Sequence, residues 1–273
     1  MTIPRYIMLD KKVGETPLSC ALAWQASHPQ FATLPLAYAG RLDPMASGRL
    51  LILLGDECKQ QAEYHNLDKE YQFSVLFGVG SDTGDVLGRL SLTDAKPVVD
   101  AAALRGAAAS LCGRISLPFP HFSSKTIKGK PLHTWALEGR LNEITIPVQT
   151  STVHKLTLTN IEVKTRSEIY TQASAKIETI PPVTDPRKAL GNDFRRSDIR
   201  KDWQMFTRTG KPTDTFTIAH FTASSSSGTY MRSLAEELGR LLSTKALAYH
   251  IHRTIIGRYV PLPLSFGIWK KRY

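Results

Sequence analysis

The sequence LAYAGRLDPMASGRLLILLG occupies residues 36–55 and joins a polar turn to an apolar run. Its last seven residues, RLLILLG, are almost continuously apolar, which is typical of a strand buried on both faces. In front of that run, Asp43 lies next to Pro44 in a turn bounded by Gly40 and Gly48. Asp-Pro is commonly just a turn former, so this motif alone does not make Asp43 functional. Its role depends on the rest of the chain.

The composition favours a chain with a polyanionic partner. Of the 273 residues, 42% are hydrophobic, enough for a sizeable core in one large domain or two modest ones. Lys and Arg number 35 against 24 Asp and Glu, a formal net charge of +11. Such an excess favours nucleic acid through counterion release and long-range steering. No basic amphipathic stretch indicates a membrane surface.

The sequence carries no signal for export, membrane insertion or metal binding. The N-terminal MTIPRYIMLDKK lacks the apolar core of a signal peptide, and the run 50–54 is too short to span a bilayer. Cys20, Cys58 and Cys112 are far apart and form no CxxC pair, which indicates reduced thiols and no zinc site. We therefore expect a cytoplasmic protein with no membrane partner and no metal.

The order of elements indicates an α+β fold with a mixed, mostly antiparallel central sheet flanked by helices and loops. Helices are predicted within residues 14–29, capped by Thr16, and within residues 95–113. Residues 69–80 read as a strand, residues 117–133 as a long loop and residues 143–163 as two strands. Residues 215–243 lead from a strand through a small-residue turn into an amphipathic helix whose apolar face holds Leu234, Leu238, Leu241 and Leu242.

We expect one domain over residues 1–273, interrupted by a charged surface insertion at residues 181–202. That segment has a dense mix of charges and few large apolar groups, which is typical of a surface or mobile loop. Its basic residues make it either an arm that contacts RNA or a solvated loop: Arg195, Arg196, Arg200 and Lys201.

Four segments mix polar groups with tight turns: AGRLDPMASG, DKEYQF, SDTGDVLG and SSGTYMRSLAEELG. They supply Asp43, Tyr71, Asp85 and Arg232. An aspartate beside an arginine is favoured in its ionised form, and an ionised carboxylate beside an aromatic ring is a plausible nucleophile facing a flat substrate. On a basic protein that substrate could be an unstacked RNA base. Each residue also has a structural reading, as a turn former, a strand aromatic, part of a structural loop or a solvated cation.

In this order and spacing, the four segments resemble the TruB family of tRNA pseudouridine synthases. YAGRLDPMASGRL (38–50) is similar to the family's catalytic loop HxGxLDPxAxGxL, and Lys69-Glu70-Tyr71 to its Lys-x-Tyr strand. SDTGDVLG (81–88) is similar to TDTxDxxG, and SSSGTYMRSLAEELG (225–239) to SxGTYxRxLxxDLG. The resemblance extends over residues 6–259.

The resemblance implies the pseudouridine synthase fold and an isomerase that converts a uridine in the tRNA T-loop, position 55, to pseudouridine without metal or organic cofactor. Asp43 would be the catalytic aspartate and Tyr71 would contact the target base after it flips out. Arg232 would hold Asp43, and Asp85 would help to fix the arginine. The uracil pocket would be walled by Tyr230 and Ile251.

Three further substrate contacts follow from the same resemblance. Lys59 lies where the family usually has a lysine. Tyr38 replaces the histidine that begins the family's loop; it can stack but cannot become cationic. Arg41 is unusual beside the nucleophile and is a candidate phosphate contact.

Two other readings stay open at this point. The chain could be an RNA-binding or tRNA-folding protein that kept the scaffold with reduced or no catalysis, or a synthase that acts on another RNA stem-loop. We also expect a monomer, and no C-terminal PUA domain like the one that grips tRNA in many family members.

Overall fold

The leucine run forms the buried part of a strand, Ala46–Leu54, in which Leu50, Leu51 and Leu53 have no exposed surface. The computed structural model describes residues 3–92, 99–183, 193–262 and 267–273. No helix in these ranges is long and apolar enough to cross a membrane.

The strands of the described ranges are β1 (Tyr6–Lys11), β2 (Leu36–Ala39), β3 (Ala46–Leu54), β4 (Asp68–Phe77), β5 (Val79–Ser81), β6 (Leu90–Leu92), β7 (Gly113–Pro118), β8 (Thr126–Ile127), β9 (Lys130–Pro131), β10 (Val148–Thr165), β11 (Thr215–Ser225), β12 (Ala246–Pro261) and β13 (Gly267–Arg272). The α-helices are α1 (Pro17–Ala26), α2 (Gln61–His65), α3 (Ala101–Ser110), α4 (Leu132–Leu137), α5 (Arg166–Thr179), α6 (Arg196–Arg208) and α7 (Met231–Leu241). Short 3-10 turns occupy Pro29–Phe31, Gly55–Gln60, Leu141–Glu143 and Asp193–Arg195.

Nine strands form the central sheet, in the order β1-β3-β12-β4-β11-β10-β7, with β2 added beside β3 and β13 beside β12. Among the described residues β12 runs parallel to β3, and the other strand pairs of this sheet are antiparallel. This confirms the predicted α+β class and mostly antiparallel sheet. The parallel pairing aligns Ile251 with Ala46 and Arg253 with Gly48. It therefore places the middle of β12 directly beside the turn that carries Asp43.

Gly48 makes this parallel pairing possible. Its φ is +101°, a left-handed conformation that favours glycine. A Cβ at this position would also lie 2.2 Å from the carbonyl oxygen of Arg253, so any other side chain would push β12 away from β3.

Helix α1 begins as the sequence predicts. The hydroxyl of Thr16 accepts a hydrogen bond from the Ser19 amide at 3.0 Å, and the Ser19 hydroxyl caps the Thr16 amide in return. Pro17 is the first helical residue, where its missing N–H costs nothing. The helix packs with Cys20 and Ala21 against the leucines of β3.

Two predicted boundaries are wrong. Residues 143–163 do not form two strands: β10 is one strand of 18 residues, which pairs first with β7 and then with β11. Bulges near Val153 and Leu158 interrupt the alternation of apolar and polar residues along this single strand. Helix α3 ends at Ser110 rather than at Gly113, whose positive φ of +101° instead starts β7. Residues 95–98 of that predicted helix lie outside the described residues.

The segment 117–133 is a loop over most of its length, as predicted, with a small addition. The strands β8 and β9 pair as a short hairpin within it. Lys128 and Gly129 both have positive φ at its tip, which is the backbone that such a tight turn needs.

Within the predicted charged segment 181–202, the residues from Arg196 onwards are helical rather than a loop. Residues 184–192 lie outside the described residues, but Arg196 starts helix α6, whose Ile199, Trp203 and Phe206 are buried in the main core. Apolar residues at this helical spacing drive the packing, and the charges face outwards. Three of the four basic residues that were candidates for RNA contact or for a solvated loop are in ion pairs within the chain: Arg195 with Asp82, Arg196 with Asp193 and Arg200 with Glu178.

Helix α7 also differs from its predicted face in one position. Leu234 and Leu238 have no exposed surface, and Leu242 packs against the core just after the helix. Leu241 is 38% exposed. The buried stripe is therefore narrower than the four leucines suggested.

Candidate active site

A cleft of about 1050 Å³ brings three of the four polar segments together. The turn between β2 and β3, the start of β4, the middle of β12 and the N-terminal turn of α7 form its walls. Seven of the predicted site residues line it: Tyr38, Arg41, Asp43, Tyr71, Tyr230, Arg232 and Ile251. Asp85 and Lys59 do not.

The turn that carries Asp43 is closed by its own backbone. The carbonyl oxygen of Asp43 accepts a hydrogen bond from the Ala46 amide at 3.0 Å, and that of Pro44 accepts one from the Gly14 amide at 2.9 Å. The turn is therefore attached both to β3 and to the segment before α1.

Asp43 and Arg232 form an ion pair at the cleft wall. The Nε of Arg232 donates to Oδ2 of Asp43 at 2.8 Å; the arginine side chain is 4% exposed and the aspartate side chain 39%. The Nη1 of Arg232 donates to the carbonyl oxygen of Thr83 at 2.7 Å. Burial acts to lower the pKa of Arg232, but the charges of Asp43 and Asp85 outweigh it and the pKa is raised. The buried guanidinium of Arg232 thus holds the carboxylate of Asp43, which remains accessible from the cleft.

Asp85 lies behind Arg232, away from the cleft. Its Oδ2 is 3.9 Å from Nε of Arg232, and its Oδ1 accepts hydrogen bonds from the Thr83 hydroxyl at 2.7 Å and from the Leu87 amide at 2.9 Å. Burial raises the pKa of Asp85, and the charge of Arg232 acts in the opposite direction. The carboxylate therefore neighbours the arginine without a direct hydrogen bond to it.

Tyr71 and Ile251 come from adjacent strands and form part of the cleft floor. Both are buried, at 8% and 3% exposure. Tyr230 precedes α7, and its ring meets that of Phe119 edge-on with centroids 5.7 Å apart. Burial raises the pKa of the Tyr230 hydroxyl. These side chains give the cleft the apolar and aromatic surface that a flat ring needs.

The remaining three predicted residues differ in their positions. Tyr38 lies on the cleft wall, half-buried against the apolar cluster under α1. Arg41 lines the cleft and is exposed. The structure does not bring Lys59 to the cleft: its side chain is 77% exposed and pairs with Asp56 at 2.7 Å.

Two cleft residues were missing from the predicted site, Lys69 and Arg253. Lys69 is 5% exposed and donates from Nζ to the carbonyl oxygen of Leu67 at 2.5 Å. Burial and the charge of Arg253 lower the pKa of Lys69 to about 8. Strand alternation could have found both, because Lys69 is two residues from Tyr71 and Arg253 is two residues from Ile251.

No group of three or more His, Cys, Asp or Glu side chains in the described ranges is arranged to hold a metal ion. The groups that can act chemically in the cleft are the carboxylate of Asp43, the cations around it and the aromatic rings.

A comparison with known protein families identifies the family of this chain. The sequence model described as "TruB family pseudouridylate synthase (N terminal domain)" matches residues 31–179, more than half of the chain. The chain belongs to the TruB family. The matched range includes the Asp43 turn, Tyr71 and Asp85 but ends before Arg232.

Several curated relatives of this TruB-family chain are named as tRNA pseudouridine synthases. The tRNA pseudouridine synthase B of Aromatoleum aromaticum is 28% identical over 253 residues, which cover 93% of this chain and 63% of the relative. That of Syntrophus aciditrophicus is 33% identical over 156 residues, 57% of this chain and 48% of the relative. The chain thus spans between about half and three fifths of the length of these relatives.

The fold also matches a solved structure. The crystal structure of a Cbf5-Nop10-Gar1 complex superposes with a TM-score of 0.53 at 17% sequence identity, covering 92% of this chain and 48% of the other. This similarity shows that the TruB-family chain has the same fold as that protein.

Proposed function

We propose that this chain is a pseudouridine synthase in which Asp43 is the nucleophile. One observation carries the proposal: the carboxylate of Asp43 is open to a large cleft while its partner Arg232, 2.8 Å away, is buried and fixed. A carboxylate held in this way is pre-oriented towards the cleft, as a nucleophile must be. The name shared by the curated relatives supports the same reaction.

The reaction exchanges one bond of the nucleotide for another. The bond between C1′ of the ribose and N1 of uracil breaks, the base rotates, and a bond forms between C1′ and C5. The hydrogen of C5 leaves as a proton and N1 takes up a proton, so no oxidant, reductant or cofactor is consumed. Asp43 attacks the sugar or the base, or assists a glycal intermediate; each route needs the carboxylate at the reacting face.

The proposed substrate is the uridine at position 55 in the T-loop of tRNA. A base within a folded loop must flip out before a protein side chain can reach C1′. Tyr71, with Ile251 and Tyr230, offers the apolar and aromatic surface that would receive the flipped ring and offset part of the unstacking cost. The net charge of +11 favours the phosphate backbone around it.

Nucleoside analysis of a treated tRNA tests the proposal. An unmodified tRNA transcript is incubated with the protein, digested to nucleosides and separated by chromatography, and a transcript with cytidine at the T-loop position is the matched control. We expect one pseudouridine per tRNA in the first and none in the second. Pseudouridine in both transcripts would refute the T-loop assignment and favour another stem-loop. Tight tRNA binding without pseudouridine would favour the RNA-folding reading.

A further inference from the structure

The side chain of Arg253 donates hydrogen bonds to the backbone of the turn that carries Asp43. It lies in β12, has no exposed surface and reaches across to the β2–β3 connection. Its Nε donates to the carbonyl oxygen of Arg49 at 2.7 Å, Nη1 to that of Arg41 at 3.3 Å and Nη2 to that of Gly40 at 3.2 Å. Two of these carbonyls precede Asp43 and one follows it, so a single guanidinium joins both ends of the turn.

This arginine has no counter-charge in the part of the chain that the structure describes. No ion pair involves it there, in contrast to Arg232 with its two aspartates. Its charged neighbour is another cation: a Cβ added at Gly40 would lie 3.6 Å from Nη1 of Arg253 and 3.9 Å from Nζ of Lys69. A buried charge without an opposite charge is costly, and here only carbonyl dipoles compensate it. Stability alone does not account for an arginine at this position.

We propose that Arg253 is a positioning residue for the reaction: it fixes the backbone of residues 40–49 so that the Asp43 carboxylate meets the substrate at the correct place. This inference rests on the proposed function. Arg232 holds the side chain of Asp43, whereas Arg253 holds the backbone on both sides of it. Together they restrict both the rotamer of the Asp43 side chain and the position of its backbone.

The geometry requires arginine rather than a generic cation. A planar guanidinium offers five N–H donors in a fixed fork, which matches three carbonyl oxygens in different directions. The single ammonium of lysine is a point donor on a flexible chain. Arg253→Lys therefore keeps the positive charge but cannot donate to all three carbonyl oxygens in the same geometry.

Arg166 provides the matched control. It is also a buried arginine, 6% exposed, whose Nη1 donates to the carbonyl oxygen of Phe206 at 2.7 Å and whose Nη2 pairs with Asp214 at 3.1 Å. It lies in α5 and does not line the cleft. Arg166→Lys should lower the melting temperature but leave the Asp43 turn intact.

Amide hydrogen exchange measured by mass spectrometry tests the positioning itself, without reference to any activity. We expect faster exchange of peptides that cover residues 40–49 in Arg253→Lys, and wild-type exchange of those peptides in Arg166→Lys. Unchanged exchange in Arg253→Lys would overturn the proposal, and so would equal loosening in both variants. If Arg253→Lys does not fold, Arg253→Gln, which keeps one amide donor, takes its place.

Single-turnover isomerisation at saturating tRNA tests the link to the reaction. A displacement of about 1 Å at a reacting group costs on the order of 100-fold in rate. We expect a loss of that size in Arg253→Lys at unchanged tRNA affinity, and a rate close to wild type in Arg166→Lys. A near-wild-type rate in Arg253→Lys would overturn the proposal. If the wild-type protein isomerises no RNA, the proposed function fails, and the exchange result still decides whether Arg253 holds the turn.

Discussion

Replacing Arg232 by methionine should destabilise the protein strongly, because it leaves the buried carboxylate of Asp85 without a positively charged partner. Arg232→Met keeps the approximate length of the side chain and removes its charge and donors. Asp43 is 39% exposed and would be rehydrated, so its loss of a partner costs little. Asp85 is 6% exposed, and without the cation 3.9 Å away it must either carry an unpaired buried charge or take up a proton, both of which cost free energy. Breaking a buried ion pair from one side costs about 3–5 kcal/mol.

The carbonyl oxygen of Thr83 would also lose its donor. An unpaired buried acceptor costs about 1–3 kcal/mol, but in one network such losses do not add. We therefore expect the free energy of unfolding to fall by about 3–5 kcal/mol. Adding Asp85→Asn should restore at least about 1 kcal/mol, because asparagine removes the stranded charge and still accepts from Thr83 and Leu87.

Urea unfolding followed by circular dichroism measures these differences. Arg240→Met is the matched control: it lies in the same helix, is 69% exposed, pairs with Glu237 at 2.6 Å and should unfold like the wild type. Equal losses in Arg232→Met and Arg240→Met would refute this reasoning. So would a double variant with Asp85→Asn that is no more stable than Arg232→Met alone.

Three further predictions concern pH, core packing and salt. The pKa of Lys69 falls from 10.5 to about 8 on folding, so the folded state releases this proton at a lower pH than the unfolded state. The free energy of unfolding should therefore rise between about pH 8 and pH 10.5. Urea unfolding should show a smaller rise in Lys69→Met than in the exposed control Lys201→Met. Trp203→Ala should cost about 3–5 kcal/mol of unfolding free energy, because Trp203 is fully buried in α6, and a loss no larger than that of the exposed Gln204→Ala would contradict the packed helix. The affinity for tRNA, measured by filter binding, should fall by about 10³ or more between 50 and 200 mM salt if 6–10 phosphates are contacted, and a flat salt dependence would contradict a binding face dominated by phosphate contacts.

The sequence predicts the elements whose signals are local. The leucine run of β3, the Thr16 cap and the strand around Tyr71 each depend on neighbouring residues and are confirmed. Strand β10 was misread because bulges, which depend on pairing with β7 and β11, disturb its alternation. Helix α6 was missed because its charges outnumber the three apolar residues that face the core.

In the candidate site, too, the residues with a sequence motif were predicted and those that depend on tertiary contacts were not. The order and spacing of the motifs predict that Asp43, Tyr71 and Arg232 lie in one site. Arg253 was not found, because its partners are backbone carbonyls, which have no sequence signature. Lys59 was predicted from its place in the family's sequence pattern, whereas the direction of its side chain depends on the turn after β3 and on Asp56.

Tritium release from RNA labelled at C5 of uridine tests the central role of Asp43 most directly. Forming the bond between C1′ and C5 releases the label to water, so the assay reports the chemical step itself. Asp43→Asn is nearly isosteric and removes the charge, while tRNA binding measured in parallel shows whether the cleft is intact. We expect release by the wild type and none by Asp43→Asn at unchanged tRNA affinity. Release by the variant at a rate near that of the wild type would show that Asp43 is not the nucleophile.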